Sequence, residues 1–259
     1  MIVLFPPRAF AWGGLVKGVR VLTLTDIHCH LMPKVDDGPS TILEAKQLLQ
    51  MEYDDGVRNI ILTPHYRVKM FEPDMKEVIH YYRGMRGAAA KIAPDFKVYL
   101  GCEYHTNSDM IEDLQRKKRP TLAGSRYVLV EFSSSHTFQR IRNQIYDLVV
   151  AGYKPVIAHI ERYPDLIDDM DNIWELIELG AYVQLNAASV LGEYGKKTKQ
   201  FCKRAMKEDC VHFIASDAHG TEYRKPNLGK CAKYVTKKMG KEYAERIFVK
   251  NPEKILRKE

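Results

Sequence analysis

Asp26-Ile27-His28-Cys29-His30 closes an apolar, β-branched run with two imidazoles two positions apart. In an extended strand, residues i and i+2 share a face, so His28 and His30 project together while Cys29 points the other way, into packing. Five more apolar runs end on a potential metal ligand: Thr63-Pro64-His65, Gly101-Cys102-Glu103, Leu129-Val130-Glu131, Ile157-Ala158-His159 and Ala215-Ser216-Asp217-Ala218-His219. One His or Glu after a strand is ordinarily a loop residue bonded to its surroundings. Six such endings point to strand tips converging on one polar centre, as in parallel barrels, whose chemistry sits at the carboxyl ends of the strands.

The rest of the chain supports that reading. Strands are expected near residues 19–27, 59–63, 97–103, 127–131, 155–158, 182–186 and 211–215. Between them lie amphipathic helical segments at about 42–55, 74–93, 110–116, 138–150, 171–179 and 198–208, with two more at 228–239 and 241–249 and a last short turn at Asn251-Pro252-Glu253. Thr41 and Glu44 have capping-box spacing, and Gly56, Pro94, Gly152 and Gly180 stop helices. Short β-branched runs alternating with helices predict a parallel sheet of βαβ units. Seven equivalent strands favour closure into a distorted (β/α)7 barrel; an open doubly wound sheet is the alternative, but it binds at one switch point rather than at nearly every strand end.

With 259 residues, the chain has enough material for one sizeable core, so a single domain is expected over residues 19–259, preceded by an extension at 1–18. The extension is apolar but carries Pro6, Pro7 and Arg8, and does not read as a secretory signal. No stretch is apolar and long enough to insert in a membrane. The five cysteines, Cys29, Cys102, Cys202, Cys210 and Cys231, show no paired spacing and read as reduced thiols of a cytoplasmic protein. A formal charge of +7 admits nucleic acid, membrane surfaces or phosphorylated substrates. The basic runs Arg116-Lys117-Lys118-Arg119, Lys196-Lys197-Thr198-Lys199 and Lys237-Lys238 lack interleaved stacking aromatics and read as solvated faces, so no nucleic acid is expected.

His28, His30, His65, His159 and His219, with Glu103, Glu131, Asp217 and a carboxylate from the Asp36-Asp37-Gly38 turn, make nine candidate ligands and no thiolate. That exceeds what one or two ions with open positions need, and fits about three divalent ions with bridging carboxylates. The mixed nitrogen and oxygen donors suit manganese, iron or zinc and argue against a structural thiolate zinc site. Arg162 and Arg224 follow ligands closely, which suits a phosphate substrate, whose oxygens accept forked hydrogen bonds; the competing explanation is a salt bridge to Asp165 or Glu222. His80 and His212 read as structural, while His105 and His136 lie in loops near the proposed mouth, where substrate contact is an option.

These motifs, together with Val35-Asp36-Asp37-Gly38-Pro39 and His159-Ile160-Glu161-Arg162-Tyr163, resemble those of the polymerase and histidinol phosphatase (PHP) superfamily. Within it they are most similar to the manganese-dependent bacterial protein-tyrosine phosphatases of capsule and exopolysaccharide operons. The resemblance runs from about Thr25 to the C-terminus. It implies a distorted barrel of seven β/α units holding a trinuclear manganese centre, with iron, zinc, cobalt or magnesium as alternatives. Asp37 would then be the turn's ligand, joining His28, His30, His65, Glu103, Glu131, His159, Asp217 and His219, and Arg162 and Arg224 would bind phosphate. The implied substrate is phosphotyrosine on the tail of a bacterial tyrosine kinase that controls polysaccharide export. Rival readings are a small-molecule phosphatase such as histidinol phosphatase, a phosphodiesterase, or a non-catalytic metal-dependent binding module. A thiol mechanism is excluded: tyrosine phosphatases of that kind need an arginine six positions after the cysteine, and those positions here hold Val35, Ser108, Glu208, Ser216 and Lys237.

Overall fold

The structure, a computed structural model, describes residues 22–259 together with a short antiparallel pair, Leu15–Val16 (β1) and Val19–Arg20 (β2). The extension expected over 1–18 otherwise lies outside the described residues. The strands that follow are β3 (Leu24–Cys29), β4 (Val57–Leu62), β5 (His65–Tyr66), β6 (Lys97–Leu100), β7 (Glu103–His105), β8 (Tyr127–Glu131), β9 (Lys154–Ile157), β10 (Tyr182–Asn186) and β11 (Phe213–Ala215). Helices α1 (Ile42–Asp54), α2 (Met75–Ile92), α3 (Met110–Gln115), α4 (Phe138–Val150), α5 (Pro164–Asp168) and α6 (Met170–Glu178) alternate with them. Helices α7 (Ala187–Leu191), α8 (Lys196–Lys207), α9 (Leu228–Met239), α10 (Lys241–Glu245) and α11 (Asn251–Arg257) complete the chain.

Every pairing from β3 onward is parallel, in two sheets ordered β3-β4-β6 and β5-β7-β8-β9-β10-β11. Two runs pass from one sheet to the other. β4 continues into β5 after a break at Thr63-Pro64, where proline has no N–H for the ladder. β6 continues into β7 after Gly101-Cys102, and the bonds Gly101 N–H to Leu62 O (2.8 Å) and Glu103 N–H to Pro64 O (3.1 Å) keep the runs side by side across the breaks. At the far edge, the segment after β11 returns to β3: Asp217 N–H donates to His28 O at 2.9 Å and His30 N–H to Ala218 O at 2.8 Å. The result is an α/β fold whose parallel strands curve around a common interior.

The strand residues divide between two apolar layers. Tyr127, Leu129, Val156, Ala158, Phe213 and Ala215 belong to an inner cluster that Leu122 and Ile255 close at one end; Val128, Val130, Ile157, Val183, Leu185 and Ile214 pack outward with the helices. Because side chains alternate along a strand, the next inward positions after Leu129 and Tyr182 are Glu131, Gln184 and Asn186. The inside is therefore apolar below and polar at the carboxyl ends of the strands. β3 departs from simple alternation: its register with β4 shifts between Asp26 and Cys29. Such a bulge re-aims side chains. Ile27 joins the inner cluster and Cys29 the outer, yet His28 still turns inward.

Three expectations need correction. The first strand starts at Leu24 rather than residue 19, since Val19–Arg20 pairs with Leu15–Val16. The run at 97–103 is divided, the strand expected at 59–63 is followed by a separate β5, and α5 and α7 are additional helices built where the chain turns over the strand ends. The segment expected to end as a helix at 249 instead passes through a π-turn at Arg246–Lys250 directly into α11. Thr41 does cap α1, accepting from Glu44 N–H at 3.1 Å, but the Glu44 carboxylate returns to Ser40 N–H rather than to Thr41.

α9 packs against the C-terminal end of α1 through Gly229, whose N–H donates to the Asp55 carboxylate. A Cβ built there lies 1.8 Å from Asp55 O, so backbone must move to admit it. Gly229→Ala is expected to cost about 1–3 kcal/mol of stability by overpacking, measured as a fall in Tm of about 2–4 °C per kcal/mol.

Candidate metal centre

At the carboxyl ends of the strands the nine predicted ligands come together. His28 Nε2 lies 3.2 Å from Glu103 Oε2 and 3.4 Å from Asp217 Oδ1. His30 Nε2 is 3.1 Å from the same Glu103 oxygen and 3.6 Å from Asp217 Oδ1. His65 Nδ1 is 3.0 Å from Glu103 Oε2 and 3.9 Å from Glu131 Oε2, and His159 Nε2 is 2.9 Å from Glu103 Oε1. Asp37 Oδ1 faces His65 Nε2 at 3.5 Å and His219 Nε2 at 3.3 Å. Glu103, buried completely, is the hub.

Asp36 and Asp37 take different positions. Asp36 turns inward to support ligands, accepting from His30 Nδ1 at 2.8 Å and from His65 N–H at 3.0 Å. Asp37 is half-exposed and presents its carboxylate to the centre. The turn depends on Gly38, where a Cβ would sit 2.2 Å from His30 O.

Other partners fix the imidazole tautomers. Gln184 Oε1 lies 3.1 Å from His28 Nδ1 and accepts from His159 N–H at 2.9 Å; an oxygen acceptor requires the proton on His28 Nδ1, leaving Nε2 as a lone pair. Asp36 does the same for His30, the Asp217 carbonyl for His219 Nδ1 (2.9 Å), and the Tyr163 hydroxyl lies 3.4 Å from His159 Nδ1. Outer hydrogen bonds of this kind orient histidines in metal sites. With both Nδ1 atoms committed, the His28 and His30 Nε2 atoms face each other at 3.1 Å, close enough to share a proton or a single cation.

Electrostatics ask for the same thing. Burial alone would depress His28, but Glu103 and Asp217 outweigh it and push its pKa up to about 9; His65, likewise buried, is pushed up to about 10 chiefly by Glu103. Burial would raise Glu103 and Asp217, yet His28 and His65 hold the first, and His28, Arg162 and Arg224 the second, well below the usual carboxylate range. Glu131 rises to about 7 through burial and the nearby Glu103. The field thus favours positive charge at His28 and His65, whereas burial, with Arg162 and His30 respectively, holds His159 and His219 down at about 4. Glu131 Oε2 and Asp217 Oδ1 are buried without a hydrogen-bond partner among the described residues, and His65 Nδ1, Glu103 Oε2 and His219 Nε2 have only the close charged approaches given above, an arrangement a metal would satisfy. Three overlapping sets have the compactness for an ion each: His30, Asp37, His65 and His219; His28, His30 and Glu103; and His65, Glu103 and Glu131. The residues fit the group.

Arg162 and Arg224 lie on one edge and share a single oxygen, Asp217 Oδ2, at 2.8 and 2.7 Å, with Asn186 Nδ2 donating to it at 2.6 Å. Neither pairs with Asp165 or Glu222. Arg224 Nε remains a buried donor with no partner among the described residues. Three residues of the site hold left-handed backbone without being glycine, His159 (φ 34°), Asp217 (φ 52°) and Arg224 (φ 48°). Such conformations cost about 1–3 kcal/mol each and persist where the surroundings dictate them.

Sequence reading missed the supporting layer. Gln184 and Asn186, linked at 2.8 Å, occupy inward positions of β10, where an amide carries no ligand signature. Asp26 accepts from Ser216 N–H (3.1 Å) and from the Ser216 hydroxyl, tying β3 to the ligand segment after β11. Glu52 of α1, wholly buried, lies against this pair, and burial pushes both carboxyls up. His136 lies in a loop as expected, 6.4 Å from His105 between ring centroids, but His105 ends β7 rather than lying in a loop. His105 lies 3.1 Å from Ser133 Oγ and lines a cleft of about 410 Å³ together with Arg67, Phe132, Glu131, His159 and Arg162. His212 sits away from the site, its Nδ1 accepting from Val183 N–H. The five cysteines are buried and free, and Cys29 packs outward as predicted.

A histidine- and carboxylate-lined centre at the strand ends of a parallel α/β fold, with guanidinium groups at its edge, defines a metal-dependent hydrolase-type site. Residues 24–257 match the capsular polysaccharide synthesis CpsB/CapC family, and the chain belongs to it. The tyrosine-protein phosphatase CpsB of Streptococcus pneumoniae is 37% identical over 238 residues, covering 90% of this chain and 98% of that protein. A solved structure from work on Bacillus subtilis YwqE and S. pneumoniae CpsB, described as unique metal-dependent tyrosine phosphatases, superimposes with a TM-score of 0.84 at 29% identity, covering 91% of this chain and 95% of the other. A phosphotriesterase homology protein from Escherichia coli matches at TM-score 0.56 and 15% identity, over 90% of this chain and 98% of the other, and shares the fold.

Proposed function

We propose that this protein is a metal-dependent protein-tyrosine phosphatase whose centre is built by His28, His30, Asp37, His65, Glu103, Glu131, His159, Asp217 and His219, on a distorted (β/α)7 barrel. The barrel reading counts β4 with β5 and β6 with β7 as single strands. One observation carries the function: three ligand sets sharing Glu103, His30 and His65 lie beside two arginines held by one carboxylate oxygen. Manganese is the proposed metal, present as about three ions: nitrogen and oxygen donors without thiolate admit manganese, iron or zinc, and the resemblance to manganese-dependent phosphatases selects among them.

When bound, divalent cations lower the pKa of water toward about 7 and offset charge on phosphoryl oxygens. The chain's own residues do the rest. Asp217 holds Arg162 and Arg224 side by side, so that their remaining N–H groups, including the unpartnered Arg224 Nε–H, bind two phosphoryl oxygens and orient phosphorus over the ligands. Gln184, Asp36 and Tyr163 keep the histidine lone pairs directed inward. A phenol leaving group, with an unperturbed pKa of about 10, departs without strong acid assistance. The substrate we propose is phosphotyrosine on a bacterial tyrosine kinase that regulates capsular or extracellular polysaccharide synthesis, met in the cytoplasm. No helix among the described residues is long and apolar enough to cross a membrane.

The test is turnover, with manganese and with chelator, of a phosphotyrosine peptide, histidinol phosphate and single-stranded DNA. The peptide is expected to be the best substrate. Preference for histidinol phosphate or DNA would replace this reading with a small-molecule phosphatase or a phosphodiesterase, and no hydrolysis of any of them would favour a binding module.

A further inference from the structure

The cleft beside the centre has one cation that the metal site and the phosphate clamp do not use. Arg67 follows β5 directly, one residue after the Tyr66 that pairs with Tyr104 of β7. Its backbone is fixed in a tight turn: Arg67 N–H donates to Phe71 O at 2.8 Å and Phe71 N–H to Arg67 O at 2.8 Å. Phe71 in turn lies flat against His65, ring centroids 5.3 Å apart and planes within 10°. The loop is thus clamped onto a ligand of the centre, and Arg67 is delivered to a defined place at the cleft wall.

The Arg67 guanidinium makes no ion pair or side-chain hydrogen bond with any described residue, although it is half-buried. The neighbouring cations behave otherwise: Arg119 donates to Pro73 O at 2.7 Å and lies over the Tyr66 ring at 4.2 Å, and Arg162 and Arg224 hold Asp217. The remaining walls are His105, Phe132 and the Ser133–Ser135 loop, apolar or neutral, with Glu131 turned toward the ligands. A volume of about 410 Å³ next to Arg162 can take an aromatic side chain whose phosphate sits on the centre. Residues adjoining that aromatic residue then pass the outer wall, where Arg67 stands.

We propose that Arg67 is a specificity residue, binding a carboxylate side chain adjacent to the phosphotyrosine and so selecting acidic peptide segments. The proposal rests on the phosphatase reading and deepens it. A forked, charge-assisted bond gives the guanidinium the partner it lacks, and a basic neighbour in the same position meets repulsion. At a rim position, the effect falls on association and weakens as salt screens it.

The experiment compares phosphotyrosine peptides carrying acidic, neutral or basic neighbours, for the wild-type protein and for Arg67→Ala and Arg67→Glu, with a simple aryl phosphate alongside. Because Arg67 is partly exposed and supports no other residue, the variants should fold; Tm checks this. The wild-type protein is expected to favour acidic over basic peptides by about tenfold in kcat/KM, mainly through KM. Arg67→Ala should erase most of that ratio, and Arg67→Glu should invert it. Fluorescence-polarisation binding of the same peptides, carrying a non-hydrolysable phosphonate in place of the phosphate, gives a second readout independent of turnover. An unchanged acidic-to-basic ratio in Arg67→Glu, in turnover or in binding, overturns the proposal, as does a fall in aryl phosphate turnover equal to the fall for acidic peptide. Failure of the wild-type protein to hydrolyse any aryl phosphate would instead contradict the phosphatase reading, while the binding ratio still decides the role of Arg67.

Discussion

Asp217→Asn should lower kcat/KM for an aryl phosphate by about 10²–10³-fold or more, the effect of losing one transition-state-stabilising group, and here one residue governs several. Its Oδ2 accepts from Arg162, Arg224 and Asn186, and its Oδ1 faces His28 and His30. The amide keeps the shape but removes the negative charge that allows two guanidinium groups to lie together. Whichever way it is turned, an NH₂ group meets either the arginine donors or the metal side. Metal content should fall with activity, while circular dichroism and Tm in excess manganese should show a folded protein. Wild-type kcat/KM in a folded, metal-replete Asp217→Asn protein would mean that this carboxylate neither holds the arginines for phosphate nor serves the centre.

Chelation is expected to abolish phosphatase activity and to lower Tm, with manganese restoring both. Without divalent cations the site keeps buried donors and acceptors that nothing satisfies, and its carboxylates are offset only by two arginines and by protons on His28 and His65. Ligand linkage alone contributes about 2.7 kcal/mol when free metal is a hundred times Kd, which for a chain of this size is a Tm change of several degrees, at about 2–4 °C per kcal/mol. Thiol alkylation under native conditions should leave activity intact, because all five cysteines are buried and burial pushes the Cys102 and Cys231 thiols far up, Cys210 to about 12. Loss of activity on alkylating a folded, metal-loaded protein would contradict the mechanism.

Most candidate ligands were legible in the sequence because they follow apolar, strand-like runs, and the ends of such runs in a parallel fold share one place, although His65 and Glu103 open new strands and Asp37 lies in the turn after β3. The breaks that shape the interior were less so. Pro64 marks an interruption of the ladder, but the continuation of β4 into β5 depends on hydrogen bonds to a neighbour far away in sequence. The bulge in β3 left no local signal, since Leu24–Cys29 reads as an uninterrupted strand; only the pairing with β4 reveals it. Asp36 and Asp37 are chemically equivalent in the sequence and differ only in which one the Gly38 turn buries. Gln184, Asn186 and Glu52 act through contacts between elements, for which amides and a helix-borne acid have no spacing rule. Arg67 was hidden for a different reason: a lone arginine after a strand says nothing until its neighbours are seen to leave it without a partner.

The central claim is that residues remote in sequence hold a group of divalent ions. Anomalous diffraction at the manganese edge from a crystal of the metal-loaded protein tests it most directly. Strong anomalous peaks are expected within the sets formed by His28, His30 and Glu103; by His65, Glu103 and Glu131; and by His30, Asp37, His65 and His219. A manganese-loaded crystal with no anomalous density among these side chains would contradict it.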